Sequence, residues 1–300
     1  MMKGLAVLFP RRSVLMMGSA ALGLLALAGC TPAGLLNGVS RISGDGATRL
    51  ALRGAAYGPL ARHRLDVWVP ARPSAVPLPV VVFFYGGDWV SGDRGDYGFA
   101  GRAFAAKGFV TVVADYRLVP DVRFPAFLED GALAIKWVHD HVAAHGGDPK
   151  RISLSGHSAG AYEAAMLALD PRYLKGVGVD PRIIRAAALL ATPADFYPFT
   201  EQRGRDALGA WPKPLETQPI SFARADAPPM LLMHGTADTV VRPYNSQRLA
   251  AKLKRLGAVA ELRLYPGKSH VDLVKSLSPT FRGATPALAD SVAFLAAHSR

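Results

Sequence analysis

A serine in the middle of the chain lies in a pattern that can make it a nucleophile. Residues 152–160 read Ile-Ser-Leu-Ser-Gly-His-Ser-Ala-Gly, so an apolar run of strand type enters a Gly-x-Ser-x-Gly turn. A helical run, Ala159 to Leu169, leaves it. Such a turn strains its central residue and places the hydroxyl at the positive end of the helix, and it needs small neighbours. The pattern predicts that Ser158 is a nucleophile, with Gly156 and Gly160 as those neighbours.

A serine hydroxyl needs a base that removes its proton and a third group that orients the base. Asp238 and His270 each follow directly after a predicted strand, in the order nucleophile, acid, histidine that this strand–turn–helix context favours. We therefore predict a triad of Ser158, Asp238 and His270. Asp195 also follows a strand and stays open as an alternative acid, and Asp272 lies beside the base in the sequence.

The reaction also needs backbone N–H groups that stabilise a developing oxyanion. The residue after the nucleophile, Ala159, supplies one of them. The apolar run at residues 80–84 leads into Tyr-Gly-Gly-Asp-Trp, a turn in which two glycines let the backbone approach a substrate carbonyl. We expect the N–H groups of Gly87 and Asp88 to be donors and Gly86 to shape the turn.

Three residues are predicted to line the substrate pocket, namely Trp89, His157 and Phe196. His157 adjoins the nucleophile, where it can pack against the sheet or contact substrate. His234 lies inside a strand end, which favours a structural hydrogen-bonding role over that of the base. The irregular interval Thr192 to Pro229 is rich in proline and aromatic residues, so it predicts a small cap over the site.

The elements that must position these residues alternate between strand-like and helix-like runs. This alternation predicts an α/β fold with a mostly parallel sheet and helices on both faces. The chain has 300 residues, half of them hydrophobic, enough for one large domain that we place at residues 57–300. The predicted strands are 64–69, 79–85, 110–115, 151–154, 186–191, 230–234 and 261–265, and the predicted helices are 98–107, 125–145, 159–169, 245–256 and 286–298.

The amino terminus has the features of an export signal. Lys3, Arg11 and Arg12 precede an apolar run at Val14–Leu27, which is too short for a comfortable membrane span. It ends in Leu-Ala-Gly-Cys, which resembles a bacterial lipobox, and Cys30 is the only cysteine, so no intrachain disulfide is possible. We expect a signal peptide at residues 1–29, a tether at 30–56, and a lipidated Cys30 that anchors the exported protein to a membrane surface of the cell envelope.

Two features of this region leave alternatives open. Thr31 stands where an aspartate would favour inner-membrane retention, so the outer membrane is favoured over a periplasm-facing inner-membrane site. The paired arginines also resemble a twin-arginine signal, so the export route stays open.

The formal net charge of +12 does not point to nucleic acid. One dense set of cations lies at helical spacing, and no aromatic residues alternate with it as a stacking platform would require. We interpret it as a solvated helix face, with attraction to anionic lipid as the weaker alternative. The set comprises Arg248, Lys252, Lys254 and Arg255.

Taken together, the motifs resemble the α/β-hydrolase carboxylesterases of the His-Gly-Gly type, a group that includes hormone-sensitive-lipase-like and feruloyl-esterase-like enzymes and kynurenine formamidases. The motifs that carry this resemblance are Tyr85–Trp89, Asp115–Leu118, Phe124-Pro125, Asp130, Gly147–Pro149, Gly156–Gly160, His234–Asp238 and His270. The resemblance implies an eight-stranded hydrolase fold, hydrolysis of a small carboxylic ester through an acyl-enzyme, and no metal or organic cofactor. An amidase, formamidase or peptidase on the same triad, or a catalytically silent binding protein, is the alternative.

The sequence departs from the family pattern at two places. Tyr85 stands where the family has a histidine that supports the loop, and Asp88 stands where the lipase form has a third glycine. The first departure bears on loop geometry. The second keeps a backbone donor and adds a carboxylate that disfavours anionic acyl groups.

Overall fold

The computed structural model describes residues 31–43 and 48–299, and within them the chain forms one eight-stranded sheet. The predicted signal peptide at residues 1–29 and the predicted lipidation site, Cys30, lie outside the described residues. The strands are β1 (Thr48–Ala56), β2 (Arg64–Pro70), β3 (Leu78–Phe84), β4 (Val110–Ala114), β5 (Gly147–His157), β6 (Ile184–Leu190), β7 (Met230–Gly235) and β8 (Ala260–Tyr265).

Helices connect the strands and cover both faces of the sheet. They are α1 (Pro32–Ser43), α2 (Gly98–Ala105), α3 (Ala126–His141), α4 (Ala159–Leu169), α5 (Pro171–Gly176), α6 (Gln202–Leu208), α7 (Tyr244–Arg255), α8 (His270–Lys275) and α9 (Ala287–His298). Short 3₁₀ turns lie at Val142–His145, Pro181–Ile183, Pro214–Thr217, Pro219–Phe222 and Pro279–Phe281. None of the helices in the described ranges is long and apolar enough to span a bilayer.

The strand order is β1-β2-β4-β3-β5-β6-β7-β8, and only the β1–β2 and β2–β4 pairs are antiparallel. The central strands β3 and β4 read as unbroken apolar runs because helices bury both of their faces, and residues 80–84 have no exposed surface. The predicted fold class, an α/β-hydrolase fold with a mostly parallel eight-stranded sheet, is confirmed.

The predicted tether at residues 30–56 needs correction. Residues 48–56 form β1, which pairs with β2, and residues 32–43 form α1, which is held to the domain. Asn37 Nδ2 donates to the Gly95 carbonyl oxygen at 2.6 Å, and Arg102 Nη2 donates to Asn37 Oδ1 at 2.8 Å. The strand lacks a clear alternating pattern because two irregularities interrupt its register, between Leu50 and Leu52 and again before Ala55.

The interval between β6 and β7, residues 191–229, contains α6 and two of the 3₁₀ turns. It follows the carboxyl end of β6, at the edge of the sheet where the loops of an open α/β fold build a binding site. Phe124 N–H donates to the Ala207 carbonyl oxygen at 2.9 Å and so joins this interval to the segment before α3. We call residues 191–229 the cap.

Candidate active site

Ser158 lies in a strained turn between β5 and α4. Its backbone angles, φ 55 and ψ −123, fall in a region that L-residues rarely adopt, and its side chain is nearly buried. A Cβ atom on Gly156 would lie 2.4 Å from the Gly160 carbonyl oxygen, and one on Gly160 would lie 2.1 Å from the Phe84 carbonyl oxygen. The strand, the helix and β3 therefore pack this closely only because both positions are glycine.

His270 and Asp238 form a buried pair. His270 Nδ1 donates to Asp238 Oδ2 at 2.7 Å, while the N–H groups of Val240 and Val241 donate to Asp238 Oδ1, each at 2.9 Å. His234 Nε2 lies 3.2 Å from Asp238 Oδ2. Burial opposes ionisation, but the hydrogen bonds from His234 and His270 outweigh it and hold the pKa of Asp238 well below its usual value. The carboxylate is therefore ionised and oriented towards the ring of His270.

The two alternative acids are engaged elsewhere. Asp195 Oδ2 accepts from Arg248 Nη1 at 2.9 Å. Asp272 Oδ2 accepts from the backbone and the hydroxyl of Ser269, at 2.8 and 2.7 Å, in a capping box that begins α8. Asp238 is thus the one of the three predicted candidates whose carboxylate contacts His270.

His157 joins the histidine to the nucleophile turn. Its Nε2 donates to the His270 carbonyl oxygen at 3.0 Å, and the two rings lie 4.6 Å apart. Burial lowers the pKa of His157 to about 3, so its ring is neutral. Among the described residues Ser158 Oγ makes no hydrogen bond; in serine enzymes the contact between nucleophile and base often shortens only when substrate binds. His157 packs behind His270, and its predicted contact with substrate stays a prediction.

The turn after β3 adopts three successive positive φ angles. They are 143 at Gly87, 54 at Asp88 and 63 at Trp89. The carbonyl oxygen of Gly87 accepts from the N–H groups of Val90 and Ser91, whereas the N–H groups of Gly87, Asp88 and Ala159 donate to no described residue. A Cβ atom on Gly86 would lie 3.1 Å from Ser158 Cβ, so this loop lies against the nucleophile. The loop with the predicted donors therefore adjoins the nucleophile turn, as the arrangement predicted for an oxyanion hole requires.

Tyr85 supports this loop in place of the family's histidine. Its hydroxyl donates to Asp115 Oδ1 at 2.9 Å and accepts from Arg62 Nη2 at 2.8 Å. The same Arg62 nitrogen donates to the Gly92 carbonyl oxygen at 2.8 Å, so one guanidinium contacts both sides of the loop. Burial raises the pKa of Tyr85, and its hydroxyl keeps its proton. Arg62 could not be predicted from the sequence, because it is a lone arginine before a strand and belongs to no recognisable motif.

Aromatic side chains pack against one another between the loop and the cap. Trp89 contacts Tyr162 edge to face at 5.2 Å between ring centroids and stacks on Phe196 at 6.4 Å. Trp89 is 5% exposed, and its Nε1 is buried without a partner among the described residues. The structure thus brings the predicted pocket residues Trp89 and Phe196 together, and Tyr162 of α4 joins them.

Within the described residues, no three His, Cys, Asp or Glu side chains are grouped as metal ligands would be. The prediction that the reaction needs no metal or cofactor is independent of this observation and stays a prediction.

Comparisons with known proteins agree with the geometry. The BD-FAE family matches residues 65–184, and the prolyl oligopeptidase family matches residues 130–299, more than half of the chain. A probable isoprenylcysteine alpha-carbonyl methylesterase of Oryza sativa is 30% identical over 82% of this chain and 63% of its own length. The esterase LipC of Mycobacterium tuberculosis is 31% identical over 73% of this chain and 59% of its own length. The chain spans about three fifths of the length of these two curated relatives.

Solved esterase structures share the fold. Esterase 2 of Thermogutta terrifontis superposes with a TM-score of 0.69 at 27% identity, covering 83% of this chain and 96% of that protein. The same esterase is also known phosphonylated by sarin, with a TM-score of 0.64 at 28% identity, covering 74% and 86% of the two chains. These relatives and structures show that the chain shares its family and fold with known esterases.

Proposed function

We propose that this chain, which belongs to the α/β-hydrolase carboxylesterases, hydrolyses carboxylic esters through a serine acyl-enzyme. The family model that matches more than half of the chain is that of the prolyl oligopeptidases, at residues 130–299. The observation that carries the proposal is the buried His270–Asp238 pair, bonded at 2.7 Å, beside a serine held in a strained turn. A binding protein has no need of a strained nucleophile facing unpaired backbone donors.

In this mechanism Ser158 Oγ attacks the ester carbonyl while His270 takes its proton, and the ionised Asp238 stabilises the imidazolium. The N–H groups of Gly87, Asp88 and Ala159 donate to the oxyanion, and each donor is worth about 3 kcal/mol in the barrier. His270 then protonates the leaving alcohol. A water molecule, deprotonated by the same histidine, releases the acid and restores the serine.

The substrate we propose is a small uncharged ester with an apolar acyl or aryl group. The uncharged aromatic cluster of Trp89, Tyr162 and Phe196 supports this, because Trp89 belongs to the oxyanion loop and the other two rings pack on it. The relatives named as esterases support the ester class.

The test is hydrolysis of p-nitrophenyl esters from acetate to palmitate by the domain from Thr31 onward, beside its Ser158→Ala variant. We expect turnover that favours short or medium acyl chains and is lost in the variant. Turnover that survives in Ser158→Ala would overturn the assignment of the nucleophile, and no turnover of any ester would overturn the ester class.

A peptidase or amidase is the second candidate, supported by the match to the prolyl oligopeptidase family. The triad does not distinguish an ester from an amide, since the leaving group contacts the pocket and not the triad. Peptidyl p-nitroanilides, assayed in parallel with the esters, separate the two candidates. A kcat/KM for an anilide that exceeds the best ester value would favour the peptidase.

We further propose that the protein is exported and anchored by a lipid on Cys30, with the outer membrane favoured. The sequence pattern around Cys30 supports this. The residues that follow it are held to the domain, since Thr31 Oγ1 donates to Asp96 Oδ2 at 2.5 Å and α1 begins at Pro32. An anchored domain would therefore lie close to the bilayer. Mass spectrometry of the envelope fraction, compared with Cys30→Ala, tests this, and an unmodified or uncleaved amino terminus would contradict it.

A further inference from the structure

The oxyanion loop carries a charged side chain at one of its donor residues. Asp88 has a φ of 54, its N–H donates to no described residue, and its carboxylate is one-third exposed. Arg203 of α6 reaches across 115 residues of sequence and donates from Nη1 to Asp88 Oδ2. Among the described residues this is the only ion pair that Asp88 makes. The cap is thus bonded directly to the loop.

The charge of Asp88 matters because a second negative charge forms next to it during the reaction. The tetrahedral intermediate has a negative charge that the N–H of Asp88 helps to hold, so a carboxylate on the same residue repels that charge. Both side chains are partly exposed, Asp88 by one third and Arg203 by 63%, so solvent and salt screen part of this repulsion. An adjacent guanidinium cancels much of this field, and it also fixes the side chain and hence the orientation of the donor N–H.

We propose that Arg203 is a positioning residue of the oxyanion hole, which neutralises Asp88 and holds the loop in its donor geometry from the cap. The inference rests on the proposed esterase function. Within the described part of the chain, Asp88 is the partner of Arg203, so its effect is exerted through that residue. The cap therefore contributes to the oxyanion hole through this ion pair.

The test is a double-mutant cycle with Arg203→Gln, Asp88→Asn and the double variant, assayed on p-nitrophenyl acetate, which is neutral. We expect Arg203→Gln to lower kcat about tenfold with KM changed less than about twofold, since the repulsion acts on the charged intermediate and not on the neutral substrate. In the Asp88→Asn background the same substitution should change kcat less than about twofold. Arg203→Lys should recover most of the activity because it restores the charge.

Salt gives a second signature. Added salt screens exposed charges, so kcat of Arg203→Gln should rise with ionic strength while that of the wild type stays nearly constant. Arg182→Gln is the matched control, because Arg182 pairs with Asp180 on a 3₁₀ turn, is 90% exposed and has no contact with the loop or the cap. It should leave kcat unchanged. Thermal unfolding of every variant shows that each is folded.

Two results would overturn the inference: equal losses from Arg203→Gln in both backgrounds, or no loss of kcat in the presence of Asp88. The same double-mutant cycle is also measured with paraoxon, a neutral organophosphate. The quantity measured is the rate at which paraoxon modifies Ser158 in each variant. If the wild type is modified but turns over no ester, the proposed esterase function fails while the coupling is still measured. If Ser158 is not modified at all, both fail together.

Discussion

Replacing Asp238 by asparagine tests the triad at the point where the structure constrains it most. Asp238 Oδ1 accepts two backbone N–H groups, from Val240 and Val241, at 2.9 Å each, and Oδ2 accepts His270 Nδ1 at 2.7 Å. An asparagine must turn its amide oxygen towards the two backbone donors, because an NH₂ group there would face two N–H groups. Its NH₂ group then faces the ring of His270.

This orientation leaves the histidine in the wrong tautomer. The asparagine NH₂ donates to Nδ1, so the single ring proton moves to Nε2, which is the nitrogen that must accept the proton of Ser158. His234 Nε2 lies 3.2 Å from Asp238 Oδ2, so it would be a second donor that faces the new NH₂ group. We expect kcat to fall about 10⁴-fold, or about 5.5 kcal/mol in the barrier, as in other serine triads with this change.

The assay is steady-state hydrolysis of p-nitrophenyl butyrate, with Asp195→Asn and Asp272→Asn as matched controls. These two aspartates were the alternative acids, and their carboxylates bind Arg248 and Ser269 instead of His270. Both controls should keep kcat within about threefold, since neither contacts the base. A loss smaller than tenfold in Asp238→Asn, or an equal loss in Asp195→Asn, would refute the assignment of the acid.

Three other substitutions have defined outcomes. Tyr85→Phe removes two hydrogen bonds that support the oxyanion loop and should lower kcat about tenfold at nearly constant KM; unchanged steady-state kinetics would contradict this. Glu163 is fully buried with no hydrogen-bond partner among the residues that the structure describes, and burial raises its pKa. The folded state therefore keeps a proton that the unfolded state loses, and stability falls as pH rises above about 4.5. Urea unfolding between about pH 5 and 8 should show this fall, up to about 1.4 kcal/mol per pH unit, in the wild type and in the exposed control Glu201→Gln but not in Glu163→Gln; parallel curves would contradict it. Gly160→Ala places a Cβ atom 2.1 Å from a carbonyl oxygen of β3 and should lower the melting temperature by many degrees, whereas Gly176→Ala, with open space around its Cβ, should not.

The parts of the fold that could be predicted are those in which local pattern and burial agree. The helix after the nucleophile was predicted at Ala159–Leu169 and is found there, and the buried strands β3, β4 and β7 stand out as apolar runs. The candidate residues at the strand ends could be placed for the same reason, because the carboxyl ends of parallel strands share one edge of the sheet.

The parts that could not be predicted depend on contacts between distant residues. No local pattern indicates that Arg62 bonds to Tyr85, 23 residues later, or that Arg203 bonds to Asp88, 115 residues earlier. The sequence predicts a tether where β1 lies, because the two irregularities in the register of this strand remove the alternation of buried and exposed residues. The helix α6 in the cap has only seven residues, Gln202–Leu208, which are too few to show a helical period in the sequence.

Both departures from the family's loop pattern are matched by an arginine. A tyrosine at position 85 carries its polar atom further from the backbone than a histidine does, and Arg62 and Asp115 lie where that hydroxyl reaches. An aspartate at position 88 brings a charge to the hole, and Arg203 of the cap balances it. Arg62 bonds to both the Tyr85 hydroxyl and the Gly92 carbonyl oxygen, and Arg203 pairs with Asp88, so an arginine supports the loop at each of its two departures from the family pattern.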